Sequence, residues 1–177
     1  MRRASPITLA GLLLVAGGCG SSGQGPAPAA SGDTEPGLVV RVVDGDTLVA
    51  RAGGSRVRVR LLGVDAPESV TPDQPVGCFG PQAGDAARRL LPRGARITLE
   101  TDPTQGREDR FGRRLAVVTV DGQHTSVNEQ LVAGGYARVF RGDGRARLLP
   151  ALGEAQREAR RADRGLWGAC PAAARGY

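Results

Sequence analysis

The sequence of 177 residues contains no lysine; all 24 of its basic residues are arginine. That absence fits the base composition of a gene better than it fits a function. Against 18 acids the arginines leave a formal charge of +6, which favours a polyanionic partner because guanidinium groups neutralise phosphates. Aromatic residues make up only 3 % of the chain, which argues against a surface that reads bases by stacking many rings. His124 is the only histidine and no C-x-x-C pair exists, so a zinc site has no ligand set. Lacking a second histidine, His124 reads as a structural or solvated side chain.

Long apolar runs are scarce as well. Arg2 and Arg3 precede one, Ile7 to Ala16, which is too short to span a bilayer as a mature helix. Residues 1–18 therefore read as a signal peptide of the lipoprotein type. The small residues of Val15-Ala16-Gly17-Gly18-Cys19 resemble a bacterial lipobox, with cleavage before Cys19 and lipid on its thiol, although Ala16 stands where leucine is usual. Plain secretion with cleavage nearby is the other reading. Either way the chain is expected to be exported, anchored to a membrane through Cys19 or secreted. Residues 19–36 follow as the lipidated cysteine and a Gly/Ser/Pro/Ala linker with nothing to bury. Setting Cys19 aside leaves Cys78 and Cys170, and an oxidising compartment favours a disulfide between them. Such a bond would contribute roughly 4 kcal/mol in the chain-entropy account.

Residues 37–168 carry the folded pattern. Leu38 to Val43 is an apolar run ended by Asp44-Gly45, and Thr47 to Arg51 reads as a second strand closed by Gly53-Gly54. Arg56 to Leu62 alternates, with Val57, Val59 and Leu61 on one face and Arg56, Arg58, Arg60 and Leu62 on the other. Pro81 to Leu91 is helical, Arg96 to Thr101 and Arg114 to Val120 are strands, and residues 102–113 form a charged loop between them. Ser126-Val-Asn-Glu129 matches a capping box for a helix that ends at Gly134-Gly135. Tyr136 to Phe140 is extended, and Pro150 to Arg164 is a last helix with Trp167 as a core plug behind it. Residues 169–177 read as a tail that frays at its end. The sum is an α+β, mainly β domain, compatible with a small closed barrel carrying about three helices.

The chemistry gathers between Val42 and Ser69. Asp46, Asp65 and Glu68 stand near strand ends, and Arg60 lies five residues before Asp65. Pro67 holds Ala66 extended and removes an amide donor, so Asp65-Ala66-Pro67-Glu68 cannot continue the ladder. Such a turn can offer the Asp65 carboxylate, the Ala66 carbonyl and the Glu68 carboxylate to one point, with Asp46 in reach from the neighbouring strand. Oxygen ligands beside guanidinium groups suit a hard cation bound together with a phosphate.

Four motifs in this order carry a family resemblance: D-G-D-T at 44–47, R-L-L-G-V-D-A-P-E at 60–68, G-R-E-D-R-F-G-R at 106–113 and V-N-E-Q-L-V-A-G-G-Y-A at 127–137. Over roughly residues 37–168 the chain resembles the staphylococcal nuclease-like family, the thermonucleases. The resemblance implies an OB-fold of five strands with three helices. It implies a phosphodiesterase that uses one calcium ion to cut DNA and RNA, leaving 3′-phosphate and 5′-hydroxyl ends. It casts Asp46, Asp65 and the Ala66 carbonyl as calcium ligands, Glu68 as the group that orients or deprotonates water, and Arg60 and Arg113 as phosphate clamps. Phe111 stands where the family often has tyrosine and Arg110 where it has lysine; the resemblance casts both as substrate-binding residues. A tyrosine of the nucleotide pocket falls near Arg141. The open alternative is an OB barrel that binds nucleic acid without cutting it, or an envelope lipoprotein with no nucleic-acid role. Either way the chain is expected to be a monomer.

Overall fold

The computed structural model describes residues 32–69, 76–140, 142 and 144–171. The signal peptide, Cys19, linker residues up to 31, residues 70–75, Arg141 and the tail from residue 172 lie outside the described residues.

Alternating apolar residues make strands whose inward faces can only be dried by closure. Strands β1 (Thr34–Val42), β2 (Thr47–Ala52) and β3 (Ser55–Leu61) form a meander. The barrel closes in the order β1-β2-β3-β6-β5, with β5 (Arg96–Glu100) returning to β1 and β6 (Arg114–Val120) running parallel to β3. Leu48, Ala50, Val59, Leu61, Ile97, Leu99, Ala116 and Val118 fill it, none more than 2 % exposed. Burying each larger one is worth about 1.5–3 kcal/mol before chain entropy is set against it. This is the five-stranded barrel that the family resemblance implies and with which the strand pattern is compatible.

Between β3 and the next element the chain turns at Gly63, at φ +71. A Cβ there would also fall 2.8 Å from a methyl of Leu152, so the position admits little but glycine. The turn releases the chain into β4 (Val64–Asp65), which pairs with β7 (Arg138–Val139) in a two-stranded ribbon outside the barrel. Four helices complete the described fold: α1 (Gly80–Leu90), α2 (Val127–Ala133), α3 (Leu149–Arg161) and α4 (Leu166–Ala169).

Helix α2 starts as its sequence predicts, with Ser126 Oγ accepting the Glu129 N–H, and stops at Gly134. Its Asn128 is fully buried and ties the helix to the barrel. Its Nδ2 donates to the carbonyls of Leu62 at 2.9 Å and Ala116 at 3.3 Å, and its Oδ1 accepts the Val118 N–H at 2.9 Å.

Several expectations need adjusting. Strand β1 begins at Thr34, so three residues assigned to the linker are in the barrel; pairing with Glu100, Leu99 and Thr98 overrides the linker-like composition of the stretch they end. Leu62, placed on the polar face by alternation, is fully buried, because the strand has ended and Asn128 takes its carbonyl. Helix α3 stops at Arg161, short of Arg164, as Asp163 adopts φ +47. The short α4 is a fourth helix beyond the three expected. It carries Trp167, which is buried with Leu166, Ala159 and Cys170 as the core plug expected of it. Cys78 and Cys170 are joined by a disulfide, with Cα atoms 6.0 Å apart across 92 residues of sequence, so the start of the presumed tail is tied down.

Candidate active site

The turn from Asp44 to Thr47 puts two carboxylates on the rim of the barrel. Gly45 lets it press inward: a Cβ there would lie 2.5 Å from the Ala66 Cβ and 3.0 Å from that of Ala83 in α1. The turn therefore sits directly under the Asp65–Glu68 segment. Asp46 is buried and used on all sides. Its Oδ1 accepts the Thr47 hydroxyl at 3.0 Å, its Oδ2 accepts the Ala66 N–H at 2.9 Å, and its own N–H donates to Asp44 Oδ1 at 3.0 Å.

Arg60 leaves β3 on the side away from the barrel core, as alternation requires, yet it is not a solvated arginine. Its guanidinium pairs with Asp46 and lies 3.7 Å from Asp65 Oδ1, and the side chain is only 14 % exposed. Ribbon β4–β7 sets Asp65 opposite Arg138, whose Nη2 donates to Asp65 Oδ2 at 3.2 Å. Asp46 and Asp65 thus converge on one cation, the guanidinium of Arg60.

The neighbouring acids crowd the same place. Burial, and then the charge of Asp46, pushes the Asp44 carboxyl up to about 6; its bond from the Asp46 N–H works against this, and the charge of Glu68 adds to it. A carboxyl raised by burial and by neighbouring acids marks a place that a positive ion would stabilise. The donor set is all oxygen and partly buried, which fits a hard divalent cation such as calcium better than a soft one. Among the described residues no cluster of three or more His, Cys, Asp or Glu is close enough to hold a metal unaided, so the Ala66 carbonyl, the substrate and water would have to complete the shell. Glu68 lies on the acid side, its Oε1 accepting the Ser69 N–H at 2.9 Å.

The second arginine comes from the charged loop. Asp109 Oδ1 accepts the backbone N–H groups of Phe111 and Arg113, and its Oδ2 takes the Arg113 Nε at 2.6 Å. What burial Asp109 has would raise its pKa, but these bonds outweigh it and hold the carboxyl below the usual range. The loop is fixed at its base by Asp102, which accepts from Thr104 and from the Arg147 N–H. Arg60 and Arg113 line one cleft of about 420 Å³ with Arg110, Phe111 and Phe140. Arg110 and Arg113 stand over the exposed Phe111 ring at 4.7 and 5.4 Å.

The structure therefore brings Asp46, Asp65, Ala66 and Arg60 into contact, with Glu68 beside the acids. It brings Arg60, Arg113, Arg110 and Phe111 to one cleft. Glu68 is not among the residues lining that cleft. Cys19 and Arg141 lie outside the described residues. Sequence reasoning passed over Arg138, Asp109, Asp44 and Asn128. Asp109 had a local signal, four residues before Arg113; Arg138 had none, because its partner is 73 residues away.

Two guanidinium groups and converging acids on a barrel rim are equipped to hold and stabilise a phosphodiester. Residues 58–169 match the family model described as staphylococcal nuclease homologue. Over 129 residues the chain is 33 % identical to a thermonuclease of Staphylococcus hyicus, covering 73 % of each. It is 35 % identical to a thermonuclease of Staphylococcus intermedius, covering 82 % of this chain and 85 % of that one. It is 36 % identical to an uncharacterized endonuclease of Escherichia coli O157:H7, covering 74 % and 76 %. The chain is a hydrolase of phosphodiester bonds built on an OB-fold barrel. The chain belongs to the staphylococcal nuclease homologue family.

Proposed function

We propose that this protein is a calcium-dependent endonuclease that cuts DNA and RNA outside the cytoplasm. Its products carry 3′-phosphate and 5′-hydroxyl ends, and it works as a monomer held to the membrane by lipid on Cys19. The observation that carries the reading is the position of Arg60, which lines the cleft shared with Arg113 while pairing with Asp46 beside Asp65. One phosphate in that cleft would meet both guanidinium groups at the edge of the acid cluster.

Asp46, Asp65 and the Ala66 carbonyl would hold calcium, which when bound supplies positive charge to the phosphoryl oxygens. Arg60 and Arg113 carry the rest of that charge, since a planar guanidinium offers paired donors to two oxygens at once. Glu68 orients a water or takes its proton, the water oxygen bonds to phosphorus, and the bond to the 5′ oxygen breaks, that oxygen taking a proton from solvent to leave as the 5′-hydroxyl. Salt bridges already made by both arginines limit their freedom, so less ordering is left for the moment of reaction. Arg110 and Phe111 flank the cleft where the neighbouring nucleotide would run.

The test is cleavage of denatured DNA by the purified protein with calcium, with magnesium and with a calcium chelator, followed by end-group analysis. Calcium-dependent cleavage leaving 3′-phosphates is expected. A folded, calcium-saturated protein that binds the strand without cutting it would instead establish a binding module. For the anchor, Cys19→Ala should move the protein from the membrane fraction to the soluble one.

A further inference from the structure

Contacts from outside the barrel hold the backbone of Glu68. The Glu68 carbonyl accepts the Gly77 N–H at 2.8 Å, and the Gly77 carbonyl accepts the Gly80 N–H at 2.8 Å. This turn of residues 77–80 presses on Glu68. A Cβ at Gly80 would fall 2.2 Å from the Glu68 carbonyl oxygen, and one at Gly77 would lie 3.1 Å from the Glu68 nitrogen. Cys78 is inside the turn and bonded to Cys170, which is 2 % exposed. Phe79, held at φ 69, packs on the cluster of Ala159, Leu166, Trp167 and Cys170 and stacks on Tyr136 at 5.9 Å. One covalent bond and one ring thus fasten the support of Glu68 to the α3–α4 end of the molecule.

We propose that Cys78 and Cys170 are a positioning pair for the reaction: their disulfide fixes the 77–80 turn, and through it the place of the Glu68 carboxylate. The inference rests on reading Glu68 as the group that handles water. It makes cleavage depend on thiol oxidation, so that a chain whose cysteines are still reduced is a slow nuclease. Two thiols form the bond by giving two electrons and two protons to a disulfide oxidant. Dithiothreitol reverses this, ending as its own cyclic disulfide.

The experiment is a double-mutant cycle on the purified full chain, measuring kcat and KM for calcium-dependent cleavage of denatured DNA well below the melting temperature. Wild type, Cys78→Ser/Cys170→Ser, Glu68→Gln and their combination are compared. Because a misplacement of about 1 Å can cost on the order of 100-fold, loss of the disulfide should lower kcat about 10- to 100-fold with little change in KM. In the Glu68→Gln background the same loss should cost less than about 2-fold, since the group being positioned is already gone. Reduction of wild type should reproduce the drop, and reoxidation should restore the rate. Gly80→Ala, which displaces Glu68 with the disulfide intact, should show the same dependence on Glu68 and covers the case in which the cysteine variant does not fold. Equal losses in both backgrounds, or a folded disulfide-free protein with normal kcat, would overturn the proposal while leaving the nuclease reading standing. Failure of oxidised wild type to cut at all would overturn both.

Discussion

The barrel interior and the acid–arginine rim are separated by single residues on the same strands, yet they are held by different forces. Val59 and Leu61 point into the barrel and are dried by similar neighbours from the other strands; Arg60, between them, is held by Asp46 and Asp65 from two separate turns. Hydrophobic burial is non-directional, so many apolar side chains of suitable volume would serve inside. Ion pairs and hydrogen bonds fix distance and angle, so the rim tolerates few substitutions even though each pair adds little stability. The barrel makes the protein stable, and the rim places its chemistry.

Substitutions on the two sides should separate accordingly. The largest effects are expected on the rim: Glu68→Gln and Arg113→Ala should each lower turnover at least about 100-fold. Their melting temperatures should stay near that of wild type, and normal kcat at saturating substrate in either variant would remove its assigned role. Leu131→Ala, at a fully buried position of α2, should do the opposite. It should cost about 2–5 kcal/mol in denaturant unfolding and leave kcat unchanged in the folded fraction. Asn128→Ala tests where the two regions meet, because it strands the Leu62 carbonyl and the Val118 N–H, while the Ala116 carbonyl keeps the Leu62 N–H. A loss of roughly 3 kcal/mol is expected from unpaired buried groups, together with a weaker kcat if the end of β3 shifts.

The smallest effect should lie at the base of the charged loop. Burial raises the Asp102 pKa, but bonds from Thr104 and Arg147 outweigh it and hold the carboxyl below 3.8. A lowered folded pKa gives stability that is complete above the unfolded value and is lost as pH falls through the folded one. Asp102→Asn should therefore be less stable than wild type at pH 7. The two proteins should converge in acid, below that value of 3.8, and a gap that persists unchanged there would remove the charge from the explanation.

Much of this was legible locally. Period-two alternation marked β3, β5 and β6 to within a residue or two, and Ser126 with Gly134 bounded α2. Asp46, Arg60, Asp65 and Glu68 were legible as candidates because short acidic turns at strand ends stand out against an apolar pattern, whereas Arg113 was singled out only by the family resemblance of its motif. Thr34 to Pro36 were not legible as strand, since they end a Gly/Ser/Pro/Ala-rich stretch that argues for linker until β5 offers hydrogen bonds. Arg138 was not legible either, as nothing near it in sequence distinguishes it from the other arginines.

The sequence by itself determined the barrel strands to within a few residues and the first three helices, where the acids and arginines fall among them, and that two cysteines were available to pair. Those properties depend on side-chain period and on neighbours within a few residues. Only the tertiary structure decided that Arg60 is shared by Asp46 and Asp65, that Asp65 faces Arg138, and that the bonded Cys78 lies in the turn behind Glu68. Each of those joins residues brought together by closing the barrel and docking α3 and α4 on it, and the free energy for that comes from burying the whole core rather than from any of the residues that meet.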